Sequence, residues 1–173
     1  MRLIFTLLAA AAFSLGETDT LHITAAVAAY QAGQAAAHDK KYQNAIDLFH
    51  EAIEIEPTFK EAYSRLIDAN LDAGRSSDAA ATITQLLEID PEISRYRVVL
   101  GKMLAEQNQT ERALAQFSFV LKTDPLNADA LLGFATAAQK LGMNDRAADA
   151  LERGRKQYPL DERFKAQPTT KAK

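Results

Sequence analysis

The chain has 173 residues, 47% of them hydrophobic and 8% aromatic, with no cysteine, no tryptophan and a formal net charge of −3. That length favours one folded domain, and the lack of cysteine excludes disulfides, thiol catalysis, thiolate metal centres and an acylated lipoprotein cysteine. Residues 17–152 carry 12 basic and 21 acidic side chains, whereas residues 153–173 carry 7 basic and 2 acidic, so an acidic body argues against nucleic acid as the main partner.

In chain order, the first element is a short basic start, Met1–Arg2, followed by an apolar run from Leu3 to Phe13 in which Thr6 is the sole polar residue. Small residues follow at Ser14 and Gly16, and Ala10, Ala11 and Ala12 offer an alternative small-residue site. This is the layout of a secretory signal peptide over residues 1–16, cleaved after Gly16 or after Ala12. The run is shorter than the roughly 20 residues of a typical spanning helix. The mature chain is therefore expected to be periplasmic or secreted. A segment left uncleaved would instead hold the protein at a membrane. Residues 17–25 form a short leader into the first repeat.

Pro57, Pro91, Pro125 and Pro159 recur every 34 residues, and the residues between them obey the same period. Repeats are read at 26–59, 60–93, 94–127 and 128–161. Position 20 of the repeat is then Ala45, Ala79, Ala113 and Ala147; position 24 is Phe49, Ile83, Phe117 and Leu151; position 8 is Gly33, Ile67, Gly101 and Ala135. Columns three, four or seven residues apart share one helix face. Each repeat thus reads as two antiparallel helices, A over positions 1–14 and B over positions 17–30.

Gly74 and Gly142 suit left-handed helix ends. Ser76, Thr110 and Asn144 are expected to cap the following helix, and Thr58 with Glu61 has the spacing of a capping box. Gly154, where the other repeats carry Ala52, Leu86 and Val120, is expected to weaken the last turns of the final helix. The prolines end each B helix, since proline lacks an N–H and disfavours helix at the preceding residue. The segment 162–173 reads as a short basic tail that makes a poor cap for the last repeat.

These columns resemble the tetratricopeptide repeat family, with its 34-residue period, alanine at position 20, a large apolar residue at 24 and proline at 32. The resemblance covers residues 26–161. The family's tryptophan at position 4 is missing, replaced by Ala29, Tyr63, Arg97 and Leu131, and its tyrosine at position 11 by Ala36, Asn70, Leu104 and Ala138. The implied fold is all-α, a right-handed solenoid of about four helix–turn–helix repeats. The implied function is a non-enzymatic scaffold in a bacterial cell envelope that binds a peptide segment or a partner subunit along its concave groove. The alternative is a structural protein that self-associates through its weakly capped last repeat.

By the same resemblance, the groove would be lined by positions 2, 5, 9, 12 and 13 of the A helices. The candidate contact residues are Tyr30, Gln34, Ser64, Asp68, Arg95, Val98, Lys102, Leu132 and Gln139. Tyr30 and Arg95 are the preferred anchors, because one buries a ring behind a polar tip and the other offers a multidonor fork. A carboxylate clamp of the kind some members use is mostly absent: Tyr30 and Gln34 stand at its first-repeat sites and Arg95 and Val99 in the third. No cofactor or metal is expected. His22, His38 and His50 have no metal-ligand spacing, no glycine-rich phosphate loop occurs, and the acidic residues read as solvated helix faces.

Overall fold

The computed structural model describes the backbone of residues 2–166 and the side chains of residues 20–166. The end of the expected basic tail, 167–173, lies outside the described residues, as do the side chains of the expected signal segment. Among the described residues every regular element is an α-helix, and the helices follow one another as helix–turn–helix hairpins. They form two compact bodies, one ending at Ile89 and one beginning at Asp90.

The N-terminal body contains α1 (Arg2–His38), α2 (Tyr42–Ile55), α3 (Lys60–Asp72) and α4 (Ser76–Ile89), each packed on the next in sequence. Residues 17–25 are helical and continuous with the first A helix; Ala26 is its first buried side chain among those described. The core centres on Phe49, with Ala45, Ile46, Leu66 and Ala69 around it. A second cluster of small residues, Ala29, Ala52 and Ala62, lets three helices approach closely. Fully burying a ring such as that of Phe49 contributes roughly 1.5–3 kcal/mol.

The C-terminal body contains α5 (Ser94–Glu106), α6 (Thr110–Thr123), α7 (Ala128–Lys140), α8 (Asn144–Gln157) and the four-residue α9 (Glu162–Lys165). The α6 residue Phe117 is its central ring. A Cβ on Gly101 would lie 2.7 Å from that ring, and a Cβ on Gly133 would overlap it. Helices α5 and α7 therefore both make room for the Phe117 ring through glycines. In the N-terminal body Gly33 makes the same room for Phe49, at 2.6 Å.

All four A-to-B turns are one motif. Lys40, Gly74, Asn108 and Gly142, each at position 15, have φ between 60° and 74°. In the first turn, Lys41 N–H bonds the Ala36 carbonyl at 2.9 Å and Lys40 N–H bonds Ala37 at 2.9 Å, the Schellman pattern. The other three turns repeat it through Arg75–Asn70, Gln109–Leu104 and Met143–Ala138. Lys41, Arg75, Gln109 and Met143 then offer their carbonyls to the N–H groups of Ala45, Ala79, Ala113 and Ala147. The alanine column is thus the first residue of each B helix to close an intrahelical bond. All four of its side chains are buried.

This turn displaces the expected caps. Ser76, Thr110 and Asn144 are the first helical residues, not caps. Lys41, Gln109 and Met143 stand at the N-cap without a side-chain cap bond, because one residue both ends the Schellman turn and begins the next helix. The Thr58–Glu61 capping box does not form either. The Thr58 N–H and hydroxyl both donate to the Glu56 carboxylate, which lowers the Glu56 pKa, and Phe59 is the N-cap of α3. Side-chain caps occur at Asn127, which accepts from Ala130 N–H at 3.0 Å, and at Asp161, which accepts from Arg163 N–H at 3.0 Å.

Each proline occupies the second position of a B-to-A turn. The bonds across these turns run from Phe59 to Glu56, Ile93 to Asp90, Asn127 to Asp124 and Asp161 to Tyr158, at 3.0–3.5 Å. Proline presets the φ that this turn position needs. Where the family has tryptophan at position 4, Tyr63 donates to the Pro57 carbonyl at 3.2 Å and Arg97 to the Pro91 carbonyl at 2.8 Å. Both substitutes pin the turn that precedes their own helix. Burial raises the Tyr63 phenol above its ordinary pKa.

The fourth proline turn leads into α9, in register with the start of a fifth A helix. Phe164 on α9 is fully buried. It stacks on Tyr158 with ring centroids 5.9 Å apart, and Arg155 donates to its carbonyl at 3.0 Å. A Cβ on Gly154 would fall on the Phe164 ring. The expectation that Gly154 weakens the last helix is therefore corrected: it is a socket, and the ring it admits covers the end of α8. Arg163 bridges Asp161 and Asp129, both at 2.7 Å. The paired Asp161 carboxyl is held below its ordinary pKa by these Arg163 hydrogen bonds.

Candidate functional site

In the N-terminal body, α1, α2 and α3 enclose a cleft of about 510 Å³. Its walls are Gln34, Ala37 and His38 from α1 and Arg65, Asp68, Leu71 and Asp72 from α3, with Phe49 and Ala69 at its base. Gln34, Ala37 and His38 hold positions 9, 12 and 13 of the first repeat, and Asp68, Leu71 and Asp72 hold the same positions of the second. The 3.6-residue period puts these positions on one stripe of each A helix, and the Schellman turns end both helices at the same register. The cleft is mixed in character. Leu71 is 40% exposed, an apolar side chain left in water beside two carboxylates. Arg65 Nη1 lies 3.6 Å from Asp68 Oδ2, both side chains about half exposed.

The remaining candidates are distributed as follows. Tyr30 is half-buried, with its ring 5.0 Å from that of Phe59 and 6.0 Å from that of Phe49, and its hydroxyl accepts from Gln34 at 3.0 Å. It packs within the body and holds Gln34 at the cleft wall. Ser64 is half-buried and donates back to the Lys60 carbonyl at 3.0 Å. In the C-terminal body Arg95 is exposed, lies 4.4 Å over the Tyr96 ring and donates to the Tyr96 hydroxyl. Val98 is buried at 6% exposure. Lys102 pairs with Asp129 at 3.5 Å, and Leu132 and Gln139 are half-buried. Of the nine candidates, Gln34 and Asp68 meet in one cleft.

A second cleft of about 480 Å³ opens on the other kind of helix, between α6 and α8. Leu121, Phe134 and Ala150 supply apolar surface and Lys122, Arg146 and Arg153 supply cations. Arg146 sits 5.1 Å over the Phe134 ring, and Arg153 pairs with Asp149 at 3.6 Å. Groove-lining positions of A helices did not point to it. Its trace in the sequence is the run of cations on α8, Arg146, Arg153, Arg155 and Lys156.

One side-chain polar atom is buried without a partner among the described residues: Oδ1 of Asn70, in a residue 1% exposed on α3. No group of three or more His, Asp or Glu among the described residues is placed to hold a metal ion. Nor is any helix among them long and apolar enough to cross a membrane.

Comparison with known proteins matches residues 36–102 and 104–167 to the family model described as tetratricopeptide repeat. Tetratricopeptide repeat protein 6 of Homo sapiens is 26% identical over 107 residues, covering 60% of this chain and 21% of that protein. DnaJ homolog subfamily C member 3 of Bos taurus is 29% identical over 82 residues, covering 47% of this chain and 16% of that protein. The chain thus spans about a fifth of the length of these curated relatives, or less. Among solved structures, YrrB, a TPR protein with an unusual peptide-binding site, superposes with a TM-score of 0.68 at 22% identity, over 81% of this chain and 72% of that one. MamA from Desulfovibrio magneticus gives 0.71 at 16% identity, over 81% and 79%. The first TPR of Spaghetti (RPAP3), bound to the HSP90 peptide SRMEEVD, gives 0.58 at 17%, over 69% and 94%. At these identities the likeness is one of fold.

Proposed function

The chain belongs to the tetratricopeptide repeat family, and from that premise we propose that it is a non-enzymatic scaffold that seats an extended segment of a partner protein against its A helices. The observation that carries this reading is the N-terminal cleft, where positions 9, 12 and 13 of two successive A helices line one opening. Its apolar base and half-exposed Leu71 offer burial to a side chain, and its polar walls set orientation. The peptide-binding site of YrrB and the peptide complex of Spaghetti are properties of those proteins; they make the same mode reasonable for this fold.

We place the mature protein in the periplasm or outside the cell, on the strength of the apolar run Leu3–Phe13 and the small residues after it. Self-association through an uncovered last repeat is the weaker reading, because Phe164 already occupies the end of α8.

A photo-reactive residue placed at Leu71, with a matched one at the exposed α2 position Glu51, tests the cleft in the native cell. Covalent adducts of a partner from the Leu71 probe, with none from Glu51, are expected. Adducts from Glu51 only, or from neither, would refute cleft docking. N-terminal sequencing of the exported chain should begin at Glu17 or Phe13; a chain beginning at Met1 would overturn the cleavage.

A further inference from the structure

We infer that the N-terminal cleft selects a partner segment carrying a basic side chain next to an aliphatic one. This deepens the docking reading above and rests on it. Two observations at different scales agree on the charge. Within the cleft, the carboxylates are Asp68 and Asp72 and the one guanidinium is Arg65. Arg65 lies one turn before Asp68 on α3 and is turned toward it, at 3.6 Å. Among the described residues no hydrogen bond or ion pair engages the Asp72 carboxylate, which stands one turn further along, next to Leu71. Around the cleft, residues 20–89 of the N-terminal body carry 10 acidic and 5 basic side chains, while residues 90–166 carry 11 acidic and 12 basic. The field that a diffusing segment meets near this cleft is therefore negative.

The apolar wall of the cleft is Leu71, exposed by 40% above a base of Ala69 and the buried ring of Phe49. A ligand lysine or arginine can place its head group at Asp72 and its methylene stem along Leu71. An aliphatic neighbour then fills the space over Ala37 and Ala69. An acidic segment would meet Asp68 and Asp72 with one cation, Arg65, which Asp68 already engages. His38 is the remaining titratable wall residue, and its Nδ1 is 3.7 Å from Asp39.

The test is selection of a display library of random linear octapeptides on the full chain, followed by selection on Asp72→Lys and Leu71→Glu. Both positions are exposed, and circular dichroism checks that the variants keep their helices. The wild type should enrich Lys or Arg within three positions of Leu, Ile, Met or Val. Asp72→Lys should lose or invert the charge bias, and Leu71→Glu should lose the aliphatic one. For an enriched peptide, Asp72→Asn should weaken binding about threefold, the scale of one exposed ion pair, with a smaller effect at high salt. Enrichment of acidic peptides, or of peptides without charge bias, overturns this inference and leaves cleft docking standing. Enrichment of no linear peptide overturns both.

Discussion

Gly154→Ala should change sign as a stability mutation according to whether Phe164 is present. Gly154 lies inside α8, and its added Cβ would occupy the place of the Phe164 ring. Two effects oppose. Alanine in a helix interior stabilises by about 1 kcal/mol over glycine, through backbone entropy. Overpacking a well-filled contact costs typically 1–3 kcal/mol. The upper end applies here, because the obstacle is a rigid ring held by the Tyr158 stack and the Arg155 bond to its own carbonyl. In the wild-type background Gly154→Ala should therefore destabilise by about 2 kcal/mol.

In a Phe164→Ala background the ring is gone and the propensity term is left alone, so the same substitution should stabilise by about 1 kcal/mol. The coupling, about 3 kcal/mol, is at the top of what contacting residues show. Urea unfolding of the four proteins measures the cycle, and amide exchange along α8 locates it. A Gly154→Ala that stabilises in both backgrounds would refute the socket and, with it, the statement that α9 caps the last repeat.

Three further outcomes follow from the same structure. Gly133→Ala should destabilise by about 1–2 kcal/mol in urea, since Phe117 is a fully buried ring that Gly101 also abuts, which leaves little room to shift, and Phe117→Leu should relieve most of that loss. Lys40→Gly should stabilise by about 0.5–1 kcal/mol, because a φ of 60° strains an L side chain more than the unfolded glycine gains in entropy; the same change at Asn108 should gain less, and an unfolding midpoint that falls for Lys40→Gly contradicts the turn assignment. Asn70→Leu should stabilise by about 1 kcal/mol by removing an unpaired buried carbonyl, read as a rise in urea midpoint with the helical signal unchanged.

The residues differ in how openly they declared their roles. The alanine column and the prolines are periodic and chemically singular, so the helix hairpins were legible from spacing alone. Gly74 and Gly142 announced left-handed helix ends, yet Lys40 and Asn108 adopt the same backbone while looking like ordinary surface residues. Tyr30 had the composition of a binding anchor, but the ring is packed against Phe49 and Phe59 and serves to hold Gln34. Val98 sat at a groove-lining position by register and is buried. The capping residues were displaced by one position, since the Schellman turn uses the residue before each of them as the helix start.

What the sequence determined by itself is local and periodic: a 34-residue rhythm of helix, turn, helix and proline turn, because helix faces, left-handed turns and proline each act over a few residues. What only the tertiary structure decided is which side chains fill which spaces. Gly133 and Phe117 are 16 residues apart, and Gly154 and Phe164 are 10 apart on different helices. Their fit depends on the distance between helix axes, which packing sets. The cleft beside Leu71 arises the same way, from two A helices whose small residues leave space between them.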